Sequence, residues 1–176
     1  NPELKNKKDV AKKVGIGAVI FGDLMNDAIK DIEFSWDRIL DFEGDTGPYL
    51  QYTYARAKSI LRKAKKLDLK KIKCDCLEKE IEKKLVTSLS QFKEKVLHSC
   101  RDYKPHILAQ YLLELGRTFN EFYHSCPVLP EKNKDVKKAR LILVQCTSQV
   151  LKNGLALLNI EVCEEIPLTI GLETIK

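Results

Sequence analysis

Apolar residues recur every three to four positions along most of this chain, and in one short place they recur every second position. Between residues 8 and 30, Val10, Val14, Ala18, Phe21 and Met25 fall on one side of a helix. Gly15 and Gly17 lie in the same stretch, where they are expected to admit a closely packed neighbour. The period then changes. In "DIEFSW", Ile32, Phe34 and Trp36 alternate with Asp31, Glu33 and Ser35, which predicts a short strand or extended segment. After the loop "FEGDTG", Pro48 suits the first position of a new helix, with Thr46 or Gly47 as its cap. Leu50, Tyr54, Ala57, Leu61 and Ala64 form the apolar stripe of that helix.

A second long helix is predicted over 75–100, with Leu77, Ile81, Leu85, Leu89, Phe92 and Val96 at nearly constant spacing. Pro105 opens a third, "PHILAQYLLELGRTFNEFYHS". Asp135 is placed to cap a fourth, running through "ARLILVQCTSQVLKNGLALLNI". Amphipathic helices joined by short polar loops predict a mainly α fold, a helical bundle preceded by a short helix-plus-strand unit. The tail, residues 161–176, mixes acids with Ile and Leu and predicts only partial packing on the bundle.

Composition narrows this picture. At 176 residues and 44% apolar content the chain is long enough for one domain with a real core. The longest apolar run, "VGIGAVIFG", falls well short of the roughly 18 residues of a membrane span. The charged opening "NPELKNKKDVAKK" has no apolar signal core, and it reads as the interior of a longer protein. The six cysteines are scattered through helical patterns, which fits reduced thiols in the cytoplasm. A zinc site from Cys74, Cys76 and the two "HSC" triplets is disfavoured. The spacing is C-x-C, and the triplets end different helices. The net charge of +6 is unevenly spread, with nine Lys or Arg and one acid between Arg56 and Lys73. Such a run attracts phosphate backbones or an acidic surface.

Catalytic chemistry finds little support. A Walker-type phosphate loop needs Lys-Ser/Thr directly after its second glycine, whereas Gly47 is followed by Pro48. Glu43 and Asp45 have no His, Lys or metal-ligand pattern nearby in sequence and read as turn residues. No serine or cysteine sits in a nucleophile-elbow context. What stands out is a second stripe on the Pro48 helix. Tyr49, Tyr52, Arg56, Ser59 and Lys63 align at spacings of three and four, away from the apolar stripe. Phe119, Phe122 and Tyr123 form another aromatic cluster, of which Phe122 is expected in the core. Rings and cations together suit unpaired bases, which stack on planes while Lys and Arg hold the backbone.

The runs "FSWDRILDFEGDTGPYLQYTYARAKSI", "LGRTFNEFYHSCPVL", "ARLILV" and "LKNGLALLNIEVCEEIP" closely resemble the C-terminal part of the arginyl-tRNA synthetase family, including its DALR-type anticodon-binding domain. The resemblance covers nearly the whole chain. It implies that residues 1–47 are the end of a class I catalytic domain and its connection, and that residues 48–176 are the helical anticodon-binding domain. It further implies an arginine-tRNA ligase as the full-length parent, using ATP and Mg²⁺. The family's two ATP-binding signatures do not occur here, so this chain is expected to be inactive alone and to hold no cofactor.

The same resemblance assigns Tyr49, Arg56, Phe119, Tyr123 and a position matching about Ile166 to the anticodon loop of an arginine-accepting tRNA. Tyr52 and Asn120 join them as candidates from the residue pattern. Two features depart from the family: Tyr54 stands where a His is usual, and the chain runs past Ile166. Every arginine codon has G at its centre, so every arginine tRNA carries C at the centre of its anticodon. A splayed cytosine needs a stacking plane and partners for its amino and carbonyl groups. Tyr49, Phe119 or Tyr123 offers the plane, and Arg56 or Asn120 offers bonds. The competing expectation is a non-enzymatic bundle whose basic face meets an acidic protein.

Overall fold

The computed structural model describes residues 6–64 and 76–166. Lys65, Lys66, Lys70, Lys71 and Lys73 of the basic run, the Cys74–Asp75 pair and the tail beyond Ile166 lie outside the described residues. The described chain forms helices α1 (Lys7–Leu24), α2 (Trp36–Ile39), α3 (Gly47–Lys63), α4 (Glu80–Ser90), α5 (Phe92–Asp102), α6 (Pro105–Ser125) and α7 (Lys134–Leu157).

The start of α3 follows its sequence signals. Thr46 is extended and its hydroxyl oxygen accepts from Tyr49 N–H at 3.2 Å, with Pro48 in the first turn. The same hydroxyl donates to Asp41 O, which fixes the "FEGDTG" loop beneath the helix. Gly47 is needed for packing: a Cβ there would stand 2.5 Å from Gly17 O and 2.9 Å from Phe21 Cβ. Gly17 likewise leaves room for the Gln51 amide, at 2.8 Å from a built Cβ, whereas Gly15 has nothing within 4 Å and serves no close approach. α1 and α3 are thereby locked side by side.

α3 and α7 pack extensively, and α6 gathers α4 and α5 on its other side. Their shared core holds Phe21, Leu50, Ala57, Leu112, Leu115, Phe119, Phe122, Val144, Leu151 and Leu155. Each large apolar side chain so buried contributes roughly 1.5–3 kcal/mol before entropy is counted. The mainly α bundle is therefore as the helical spacing predicts.

Three local expectations are corrected. Of the strand or extended segment expected at 31–36, no strand forms: residues 31–35 lead irregularly into α2, with Ser35 extended, and no strand occurs among the described residues. Alternation stabilises a strand only when one face is covered, yet Phe34 and Trp36 are 52% and 59% exposed. They pack edge to face with centroids 4.8 Å apart, and Trp36 opens α2. The helix predicted over 75–100 breaks at Gln91 into α4 and α5. The Tyr111 hydroxyl of α6 donates to Ser88 O at 2.8 Å, satisfying a carbonyl where the ladder is interrupted. Finally, Asn133 and not Asp135 caps α7: its Oδ1 accepts from Asp135 N–H (3.0 Å) and Val136 N–H (3.3 Å).

α7 also carries a buried ion pair. Arg140 Nε donates to Glu82 Oε1 of α4 at 2.6 Å, with the two side chains 6% and 1% exposed. Arg140 Nη1 donates to Pro127 O and to Glu131 Oε2, both at 2.8 Å. Glu82 Oε2 in turn accepts Lys79 N–H at the start of α4 (3.0 Å). One guanidinium thus ties α4, α7 and the 127–131 loop together.

Candidate nucleic-acid interface

That loop forms one wall of a cleft of about 810 Å³. α3 supplies Tyr52, Arg56, Ser59, Arg62 and Lys63, the end of α6 supplies Tyr123 and His124, and the C-terminal segment closes the cleft with Glu165 and Ile166. The second stripe of α3, from Tyr52 onward, is thus the floor of a concave surface, because the first stripe is spent on α1 and α7. Its volume lies within the roughly 300–1,000 Å³ usual for small-ligand clefts.

Arg56 is held at the centre. Its guanidinium carbon lies 4.8 Å from the Tyr52 ring centroid and 5.2 Å from that of Tyr123. Such cation–π contacts contribute roughly 0.5–2 kcal/mol each. Nη1 donates to Asn120 Oδ1 at 2.7 Å. The Asn120 amide then donates to the Tyr49 hydroxyl (2.9 Å) and to Thr53 Oγ1 (3.4 Å). The guanidinium makes no ion pair with a described residue, and Arg56 lines the cleft.

Tyr49 stands at the side of this cluster and not in the cleft lining. Its ring packs over Gly116, where a Cβ would come within 3.2 Å of Tyr49 Cε1. Burial pushes its phenol up, and the nearby Asn120, Arg117 and Arg56 partly offset that rise. The hydroxyl already accepts from Asn120, and its own proton is free to be donated. Beyond it Asp45 pairs with Arg117.

Phe119 is corrected. The ring is fully buried, its centroid 6.2 Å from that of Phe122, and a ring with no exposed face offers no stacking plane to a base. It continues the buried line Leu108, Leu112 and Leu115 along α6, whereas Tyr123, one turn on, reaches the cleft and is 39% exposed. Asn120 is brought into the cluster, though its amide is engaged by Arg56, Tyr49 and Thr53. Ile166 is half-buried, lines the cleft and packs on Val10, Val14 and Cys163.

Sequence reasoning missed Arg62, His124, Thr53 and the 127–131 loop. Thr53 lies four residues from Tyr49, a helical spacing that points to it. The Pro-flanked "CPVLP" beside "FNEFYHS" was the other signal, and His124 stood unused in a triplet weighed only for zinc. No group of three or more His, Cys, Asp or Glu among the described residues is placed to hold a metal ion. No helix among the described residues is long and apolar enough to cross a membrane.

Residues 50–166 match the DALR anticodon binding domain family. The chain is 46% identical over 168 residues to an arginine–tRNA ligase of Clostridium kluyveri, covering 94% of this chain and 30% of that protein. It is likewise 46% identical over 170 residues to the arginine–tRNA ligase of Halothermothrix orenii, again 94% of this chain and 29% of that one. The chain spans under a third of these relatives' length. Among solved structures, Thermus thermophilus arginyl-tRNA synthetase superposes with a TM-score of 0.88 at 37% identity, over 94% of this chain and 29% of its own. Plasmodium falciparum arginyl-tRNA synthetase gives 0.82 at 30% identity, over 93% and 29%.

Proposed function

Since the chain belongs to the DALR anticodon-binding family of arginyl-tRNA synthetases, we propose that its cleft binds the anticodon loop of arginine tRNA and reads the central cytosine. The observation that supports this most is Arg56, a charged fork held between two tyrosine rings with no carboxylate of the described residues on it. A base laid against Tyr52 or Tyr123 gains roughly 1–3 kcal/mol from stacking. Arg56 then donates to the cytosine carbonyl, and Tyr49 or backbone carbonyls serve the remaining edge. Ile166 lines the pocket, and Lys63 stands in the same lining as a cation for phosphate.

On this reading residues 48–176 are the RNA-binding unit and residues 1–47 its connection to a catalytic domain. The longer protein joins arginine to its tRNA with ATP and Mg²⁺ in the cytoplasm. The donor set of the described residues does not suit Mg²⁺, and no step of ATP chemistry is assigned to this chain.

Fluorescence anisotropy tests the proposal, with the chain titrated into arginine tRNA and into the same tRNA bearing another base at the anticodon centre. The expected result is weaker binding of the altered tRNA, and for both a log–log salt slope of roughly 0.7–0.9 per phosphate contacted. Equal binding of the two would rule out base recognition.

A further inference from the structure

The segment after α7, Glu161–Ile166, lies along α3 as a strap. The Gln51 side-chain amide donates to Glu161 O (2.7 Å) and to Lys13 O (3.1 Å), and Cys163 is buried with Val10 and Val14. Past that anchor, two successive carboxylates meet two α3 cations. Lys58 Nζ pairs with Glu164 Oε1 at 3.2 Å, and Arg62 Nη2 pairs with Glu165 Oε1 at 3.1 Å. Arg62 Nη1 also donates to the Glu164 carbonyl at 3.0 Å. Arg62, Glu165 and Ile166 all line the cleft.

The position of these acids is unexpected for an RNA-binding surface, because each carboxylate cancels a cation on the helix that carries Arg56. A phosphate must displace a carboxylate before it can use Lys58 or Arg62. The same pairs fasten the strap whose next residue, Ile166, forms the cleft wall. We propose, resting on the anticodon-binding reading above, that Glu164 and Glu165 are specificity-determining positioning residues. They seat Ile166 against the cleft, and they withhold Lys58 and Arg62 from indiscriminate phosphate binding.

The two roles give effects of opposite sign when the carboxylates are neutralised. Two released cations strengthen the attraction for any tRNA, since phosphate contacts carry sequence-independent affinity. A loosened strap weakens only the complex that needs the Ile166 wall. Exposed ion pairs contribute little to global stability, and the Gln51 and Cys163 anchors are untouched, so the fold persists.

The test compares the chain with its Glu164→Gln/Glu165→Gln variant by anisotropy, using arginine tRNA and the tRNA altered at the central anticodon base. The altered tRNA is expected to bind roughly threefold or more tighter, with a salt slope steeper by about 0.7–0.9 for each cation that gains a phosphate. Arginine tRNA should gain less, so the ratio of the two affinities falls. An unchanged ratio, whether both tighten equally or neither moves, overturns the inference while leaving the cleft reading intact. Failure of the wild-type chain to discriminate overturns both. A charge-swapped pair gives a second check at constant net charge. Lys58→Glu/Glu164→Lys should recover the discrimination that Glu164→Lys alone loses, and no recovery counts against the strap.

Discussion

Arg140 and Arg56 are both well-bonded arginines on long helices, yet they do opposite things with their charge. Arg140 is enclosed, with Glu82 and Glu131 against it and the Pro127 carbonyl taking a further N–H. Arg56 is clamped by two tyrosine rings and a neutral amide, with no acid among the described residues paired to it. The first charge is neutralised inside the protein, and removing it would strand a buried carboxylate. The second is positioned without being neutralised. A guanidinium that is orientated but unpaired is what an anionic or polar ligand can still use.

This contrast breaks most visibly in stability. Arg140→Ala should cost about 3–5 kcal/mol in chemical denaturation, the usual effect of breaking a buried pair. A loss below about 1 kcal/mol would mean that the pair is not the tie described above. Arg56→Ala should do the reverse. Its denaturation midpoint should fall much less than that of Arg140→Ala, while affinity for arginine tRNA falls by about 1.5–3 kcal/mol, the range for hydrogen bonds from a charged donor. If the helical signal and the midpoint both collapse, Arg56 belongs with Arg140 as a structural residue.

Smaller effects sharpen the edges of the comparison. Tyr111→Phe removes the hydroxyl from Ser88 O and should cost about 1 kcal/mol without changing tRNA binding. Burial pushes the Tyr111 phenol up to about 12, from an ordinary value of 10.0. The folded state therefore holds that proton where the unfolded chain releases it. Stability from this group is complete below pH 10.0, declines as pH rises toward 12, and the Phe variant should lack that decline.

Glu131 gives the smallest effect, on the acid side. The Asn133 backbone N–H, with the nearby Arg140, holds its carboxyl below the ordinary 4.5. Its contribution is present above pH 4.5 and is lost as pH falls through the lower folded value. Glu131→Gln should flatten that part of an acid-unfolding curve. An unaltered curve would show that Arg140 is satisfied without it.

Much of the site was legible in the chain because α3 announces itself. Thr46 and Pro48 set its start, and two stripes of different chemistry follow from helical spacing alone. What periodicity could not supply was the partner. Phe119 and Tyr123 share a face by spacing, and only the bundle packed around α6 decides that one is buried and the other open. The break at Gln91 is equally silent, since the apolar period runs through it and the stabilising hydroxyl comes from Tyr111 on another helix. "DIEFSW" alternates in pattern but has no sheet to join among the described residues. Arg140 lay in plain view in "ARLILV", with no local sign that Glu82 would meet it.

The two arginines also furnish the most direct test. In a ¹⁵N spectrum of the chain, the Nε–H resonances of Arg56 and Arg140 report the two environments separately during titration with an arginine-tRNA anticodon stem-loop. The account predicts that the Arg56 resonance shifts with the titration, together with the cleft amides near Tyr52 and Tyr123, while Arg140 stays in place. A still Arg56, with the shifts gathered on α4 and α5, would contradict it.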